Sequence, residues 1–282
     1  MARFKGWIGS VLLVALGISQ GFADDPAARK YSIAVDSELN MTVARTKQVV
    51  KVKATASFDY ALIPLQGNQV ETRIDGMELT TTLNDLPPNK TRMSRSGFFN
   101  SDGKETQDVK FETAPANLKT ILEQFGQPLA SYTLGSEGEE SQPPVLKIKS
   151  GLLIQTNAFA LARTFHVRFP KDSAKWVVAS SLPLGQGQFS KGDLTFEKFA
   201  KPDAAGLVRV KVSGELKVNG KLGQAQINKG LYKVKGEQVY SLKVGDWVSG
   251  RYDIDMDIEA DDPRTGLLSG KGPVSLILKI RP

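Results

Sequence analysis

The stretch VKVKATASFDY, residues 50–60, decides the fold class. Val50, Val52, Ala54, Ala56, Phe58 and Tyr60 alternate with Lys51, Lys53, Thr55, Ser57 and Asp59. A period of two sends one set to each face of an extended chain, so this is a strand with one buried face and one wet face. The pattern recurs where Val208, Val210 and Val212 alternate with Arg209, Lys211 and Ser213. It recurs again where Tyr252, Ile254, Met256 and Ile258 alternate with Asp253, Asp255, Asp257 and Glu259. A single wet face is the habit of antiparallel sheets. Turn signals stand at Asp75-Gly76, Ser101-Asp102-Gly103, Asn219-Gly220 and Lys235-Gly236. Asn219-Gly220 predicts a tight hairpin between residues 216–218 and Leu222.

Helical periodicity is sparse. Leu118, Ile121, Leu122 and Phe125 recur at i, i+3, i+4 and i+7, with Pro115 suited to the first turn and Gly126 to the stop. One amphipathic helix is predicted over residues 115–125. Residues 157–163 read as a second, with Asn157 as cap, whereas Phe165, Val167 and Phe169 alternate with His166 and Arg168 as a strand would. The expected fold is mainly β: antiparallel sheets in two sandwich-like or half-barrel lobes, with one or two short helices.

Residues 1–23 read as a secretory signal peptide. Arg3 and Lys5 lead, an apolar stretch from Ile8 to Ile18 follows, and Gly21 and Ala23 place small residues at the cleavage site. That core is shorter than the ~20 apolar residues a membrane span needs. A secreted or periplasmic location is expected, with no transmembrane segment after signal removal. Residues 135–144 are polar, acidic and rich in Gly and Pro, and read as an exposed loop or a lobe boundary. Residues 24–140 then form an N-terminal β lobe carrying the helix near 115–125, and residues 145–282 a C-terminal β lobe; one continuous domain is the alternative. The lobes share a pattern at one fixed offset, with Phe58 matching Phe196, Pro64 matching Pro202, Val70 matching Val208 and Gly76 matching Gly214.

Phe169-Pro170, Trp176, Leu182-Pro183, Leu194-Thr195-Phe196 and the strand from Val208 to Leu216 carry a resemblance. Over about a third of the chain they resemble a group of secreted, β-rich bacterial proteins grouped as a domain of unknown function. The sequence departs from that pattern before Trp176, where Ala174-Lys175 stand in place of Gly-Asp. The resemblance implies a secreted β fold and carries over no site residue.

Composition excludes much chemistry. With Cys 0 and His 1, thiol catalysis, disulfides, Cys-zinc sites and multi-histidine metal sites are ruled out. Signal removal takes two cations and no acid, lowering the formal charge from +7 to +5. The remaining cations are dispersed, so no nucleic-acid partner is expected. His166 has no adjacent acid and reads as a solvated or core-edge histidine. Ser101-x-x-Lys104 contains Asp-Gly and reads as a turn.

The acids at 253, 255, 257 and 259 lack the glycine of a calcium loop. They read as a solvated strand face that lysine-bearing strands such as 276–280, with Lys279, can pair. The Asp261-Asp262-Pro263 turn leaves room for a weak surface calcium. The glycine runs at 185–187 and 266–272 miss the spacing of phosphate loops. Trp176 and Trp247 read as core, with sugar stacking or an apolar groove as the alternative.

No catalytic, cofactor-binding or metal residue is assigned, and no cofactor is expected. The expected function is that of an exported, non-enzymatic protein binding a hydrophobic ligand or an envelope component. One alternative is a structural or interaction module of the cell envelope. Another is a hydrolase whose carboxylates the fold brings together. An apolar cavity would favour the first, a filled core with uncovered strand edges the second, and two close acids the third.

Overall fold

The computed structural model describes residues 28–66, 69–134, 140–147, 169–185, 188–199, 201–222, 225–264 and 266–280. The signal segment, residues 157–163, His166 and the first half of the 135–144 stretch lie outside them. The described strands are β1 (Arg29–Val43), β2 (Gln48–Pro64), β3 (Gln69–Leu83), β4 (Asn89–Ser94), β5 (Gly97–Ser101), β6 (Thr106–Lys110), β7 (Pro128–Leu134) and β8 (Glu140–Leu146). They continue with β9 (Lys175–Gly185), β10 (Gln188–Lys198), β11 (Leu207–Asn219), β12 (Lys221–Leu222), β13 (Ala225–Ser241), β14 (Asp246–Asp262) and β15 (Gly266–Ile280).

All these strands belong to one antiparallel sheet, ordered β6-β5-β4-β3-β2-β1-β15-β14-β13-β11-β10-β9. The first and last strands are neighbours, from Tyr31 opposite Ile280 to Val43 opposite Leu268. The halves of the sequence therefore share a sheet. At β3 the sheet forks: residues 76–81 pair with β4, while residues 69–73 pair with β7, which pairs with β8.

The mainly β, antiparallel expectation holds, and the alternation explains why. On β2, Val50, Val52, Ala54, Ala56, Phe58, Tyr60 and Leu62 are buried, and on β14 so are Tyr252, Ile254 and Met256. The inward residues of both halves form one hydrophobic core. Trp247, Tyr31, Tyr60, Tyr252, Phe58 and Phe196 are almost completely buried within it.

The helix α1 covers Ala116–Leu122, with Pro115 as its N-cap. It is shorter than predicted, because the amides of Gln124 and Phe125 donate to the carbonyls three residues back, which tightens the final turn. Gly126, at φ +80°, then donates its amide to the Ile74 carbonyl and docks the helix end on β3. Leu122 and Phe125 are fully buried against the core.

Of the turn signals, Ser101-Asp102-Gly103 joins β5 to β6 as expected. Asp102 Oδ1 accepts the amides of Lys104 and Glu105 at 2.9 Å each. Three signals do something else. Asp59 lies opposite Gly76 and Tyr60 opposite Ile74, so Asp75 is the extra residue of a bulge within β3. Gly236 sits in the middle of β13, opposite Val212 and Tyr252. At Asn219-Gly220 the chain kinks but does not reverse: β12 continues to pair with β13, Lys221 opposite Gln226. Residues 140–144, expected in a loop, belong to β8, which is paired with β7.

The glycines within strands have a steric cause. Gly192, Gly214 and Gly236 face inward on adjacent strands and descend diagonally across the sheet. A Cβ on Gly214 would stand 2.2 Å from the Asp193 carbonyl oxygen, and one on Gly236 would stand 2.4 Å from that of Arg251. Neighbouring backbones approach where side chains are missing, and the sheet bends inward there.

Candidate functional site: a polar waist on the outer sheet face

The inward bend leaves a depression outside. A groove of about 540 Å³ crosses β10, β11, β13 and β14, and Gly236 contributes to its floor. Strand register sets its side chains in two ranks. Glu197, Lys211, Glu237 and Arg251 stand opposite one another in one rank. Thr195, Ser213, Lys235 and Asp253 form the rank beside it.

A second groove, of about 320 Å³, crosses β15, β1, β2 and β3. It uses the same two ranks. Arg251 stands opposite Ile277, and that rank runs on through Ala34 and Ser57 to Glu78. Asp253 stands opposite Ser275, and its rank runs on through Asp36 and Thr55 to Thr80. The two depressions lie on one band around the outside of the curled sheet.

The side chains of this band differ from their neighbours in how they are engaged. Elsewhere on the outer face, opposite charges on adjoining strands meet. Glu38 pairs with Lys51 and Lys53, and Asp257 with Lys229 at 2.9 Å and Lys271 at 3.2 Å. Hydrogen bonds from these lysines hold the Asp257 carboxyl below its usual range. In the band, Arg209 meets Glu237 at 2.9 Å, Arg251 meets Asp253 at 3.7 Å and Lys175 meets Glu197 at 3.9 Å. Yet among the described residues no side-chain hydrogen bond or ion pair engages Asp36, Thr55, Ser57, Glu78, Thr80, Ser275, Thr195, Ser213 or Lys235.

The acidic face of β14 lies beside lysine-bearing strands, as expected, though opposite other lysines than Lys279. Asp257 faces Lys271, Asp255 faces Lys233 and Asp253 faces Lys235, whereas Lys279 faces Ser249. Asp262 is buried and accepts the Arg264 amide at 2.8 Å, which makes it a turn cap. Among the described residues no three His, Cys, Asp or Glu side chains group as metal ligands.

A second polar cluster lies inside, where β1 and β14 begin. Asp246 is buried and meets Arg29 Nη1 at 2.9 Å. Burial pushes its carboxyl above the usual range, and Arg29 and the Trp247 amide oppose the shift. Burial also raises Tyr31 and Tyr240, and the Asp246 charge adds to both shifts. No second acid acts on Asp246 among the described residues. The acid pair that glycoside hydrolysis requires is therefore not assembled at this site.

Aromatic rings surround the cluster. Phe169 stacks on Tyr240 at 4.1 Å, Trp247 meets both rings edge-on, and Trp176 stacks on Phe196 at 5.3 Å. Lys198 lies 4.4 Å from the Phe169 ring centre and donates to the Pro170 and Lys171 carbonyls. The two tryptophans thus pack against protein rings; Trp247 is core and Trp176 half-buried. Neither forms part of the two outer grooves.

The sequence displayed the components of the waist but not the waist itself. Thr55, Ser57, Thr80 and Ser275 are short residues on wet strand faces, a readable signal. Their alignment depends on the pairing of strands more than two hundred residues apart.

No family model and no curated protein matches the chain. Among solved structures, one of lipid-protein interactions in lipovitellin is similar at a TM-score of 0.48 and 8% identity, covering 90% of this chain. The alignment spans 25% of the lipovitellin chain. A mutant of Rh. blastica porin is similar at a TM-score of 0.19 and 7% identity, covering 88% of this chain and 99% of the porin. Pseudomonas aeruginosa OccK5 (OpdH) is similar at a TM-score of 0.22 and 8% identity, covering 93% of this chain and all of the other. Likenesses this distant carry no argument about function.

Proposed function

We propose that this chain is an exported, non-enzymatic binding module of the cell envelope that meets its partner on the outer face of the curled sheet. The observation that carries the reading is the waist, a grooved band whose serine and threonine hydroxyls, with Asp36, Glu78 and Lys235, make no side-chain hydrogen bond or ion pair within the described residues. Residues 1–23 supply the expected route of export.

A second reading, a carrier of a hydrophobic ligand, is favoured by the fork at β3. There Leu83, Met93, Phe98, Val109 and Phe111 are only partly buried against the core beneath the β4–β6 ribbon. Native mass spectrometry of the exported protein, with solvent extraction, separates the two. A bare polypeptide mass that nonetheless co-sediments with isolated cell envelopes is the result expected of the surface module. A reproducible lipid-sized adduct released by solvent would replace that reading with the carrier.

A further inference from the structure

Resting on the envelope-binding reading, we propose that the waist is a binding groove for a linear, uncharged polysaccharide chain laid across the strands. Four observations point to that chemistry. The first is continuity. The grooves over β10–β14 and over β15–β3 occupy the same two register ranks, so they form one track and not two separate pits. The second is repeat. Each strand presents one polar rank position, and strands stand ~4.8 Å apart, about the length of one hexose ring. Eight strands span roughly 34 Å at that spacing, room for about six sugar units.

The third observation is donor and acceptor balance. A sugar hydroxyl both donates and accepts, and the track offers both kinds of partner. Thr55, Ser57, Thr80, Ser213 and Ser275 supply hydroxyls, Lys235 donates, and Asp36 and Glu78 accept. None of these side chains is engaged within the described protein, so each meets a ligand without first breaking a protein contact. The fourth is charge. The β10–β14 part carries three acids and three bases, and the β15–β3 part carries Asp36 and Glu78 without a base. A polyanion is repelled along that second stretch, while Ala34 and Ile277 in its lining offer the apolar contact that the face of a sugar ring makes. A neutral polyol is the class that suits both stretches.

The test uses the exported full chain against an array of neutral linear hexose and N-acetylhexosamine oligomers of increasing length, with anionic polysaccharides alongside. Titration calorimetry then measures the best binder. Affinity is expected to rise with length up to about six units. Ser57→Trp and Ser213→Trp place a bulky ring in either half of the track on the wet face, and each is expected to weaken binding at least tenfold. Val244→Trp, on an exposed turn away from the band, is expected to leave it unchanged. Thermal unfolding of each variant confirms that the fold is retained.

Binding that survives both track substitutions would overturn the site, and selectivity for polyanions would overturn the ligand class. Co-sedimentation with isolated cell envelopes separates the two levels. A protein that binds envelopes but no neutral oligosaccharide refutes the polysaccharide groove alone. One that binds neither refutes the envelope-binding reading as well.

Discussion

Asp246 and Gly214 show how single residues carry disproportionate weight in this sheet. Asp246 is a buried carboxylate whose burial outweighs the help of Arg29. Its folded-state pKa is raised, so folding favours the protonated form. The stability this supplies is complete below about pH 4, the usual aspartate range, and is lost as pH rises through the raised value. Asp246→Asn cannot titrate. The melting temperature of the native chain relative to that variant is therefore expected to fall across this window, read by thermal unfolding at a series of pH values. A difference that stays flat with pH would contradict the assignment. Gly214 faces inward with a backbone oxygen 2.2 Å from where its Cβ would sit. Gly214→Ala is expected to cost about 1–3 kcal/mol in urea unfolding. Its outward neighbour Ser213→Ala should stay within about 0.5 kcal/mol.

Among the elements, the helix α1 and the glycine-marked turns differ in how well the sequence announced them. The helix was legible because Leu118, Ile121, Leu122 and Phe125 fix a face, and Pro115 and Gly126 fix the ends, all within a dozen residues. Only its final turn was misread, since tightening there follows from docking Gly126 on Ile74. Leu122 is fully buried where the helix meets the core, so Leu122→Ala is expected to lose about 2–5 kcal/mol of stability. Exposed Lys104, in the β5–β6 turn, should tolerate the same change. Asp75-Gly76, Asn219-Gly220 and Lys235-Gly236 were read as reversals and are a bulge, a kink and a mid-strand bend. A local dipeptide signals that the backbone departs from a flat strand. Whether it reverses or merely bends depends on which strand lies alongside.

At the scale of the whole molecule, the pairing of β1 with β15 joins the beginning of the described chain to its end. The shared core runs through both halves, from Phe58 and Tyr60 to Trp247 and Tyr252. Residues 24–147 or 148–282 produced alone would lose that pairing and expose the apolar face of β1 or β15. Each fragment is expected to lack a cooperative thermal transition, and mixing the two is expected to restore one. A sharp independent transition in either fragment would show that the half closes a core of its own.

The sequence by itself determined the alternating strands, their wet and dry faces, the helix α1, and the exclusion of cysteine and multi-histidine chemistry. These follow from periodicity and composition, which are local properties of the chain. Only the tertiary structure decided that strands of both halves share one sheet and one core, and that Ser57, Asp36, Ser213 and Lys235 fall on one outer band. Register between distant strands sets those relations. A shift of one residue would turn every one of those side chains to the other face. That register comes from the packing of all the inward faces together, which no single stretch of the chain contains.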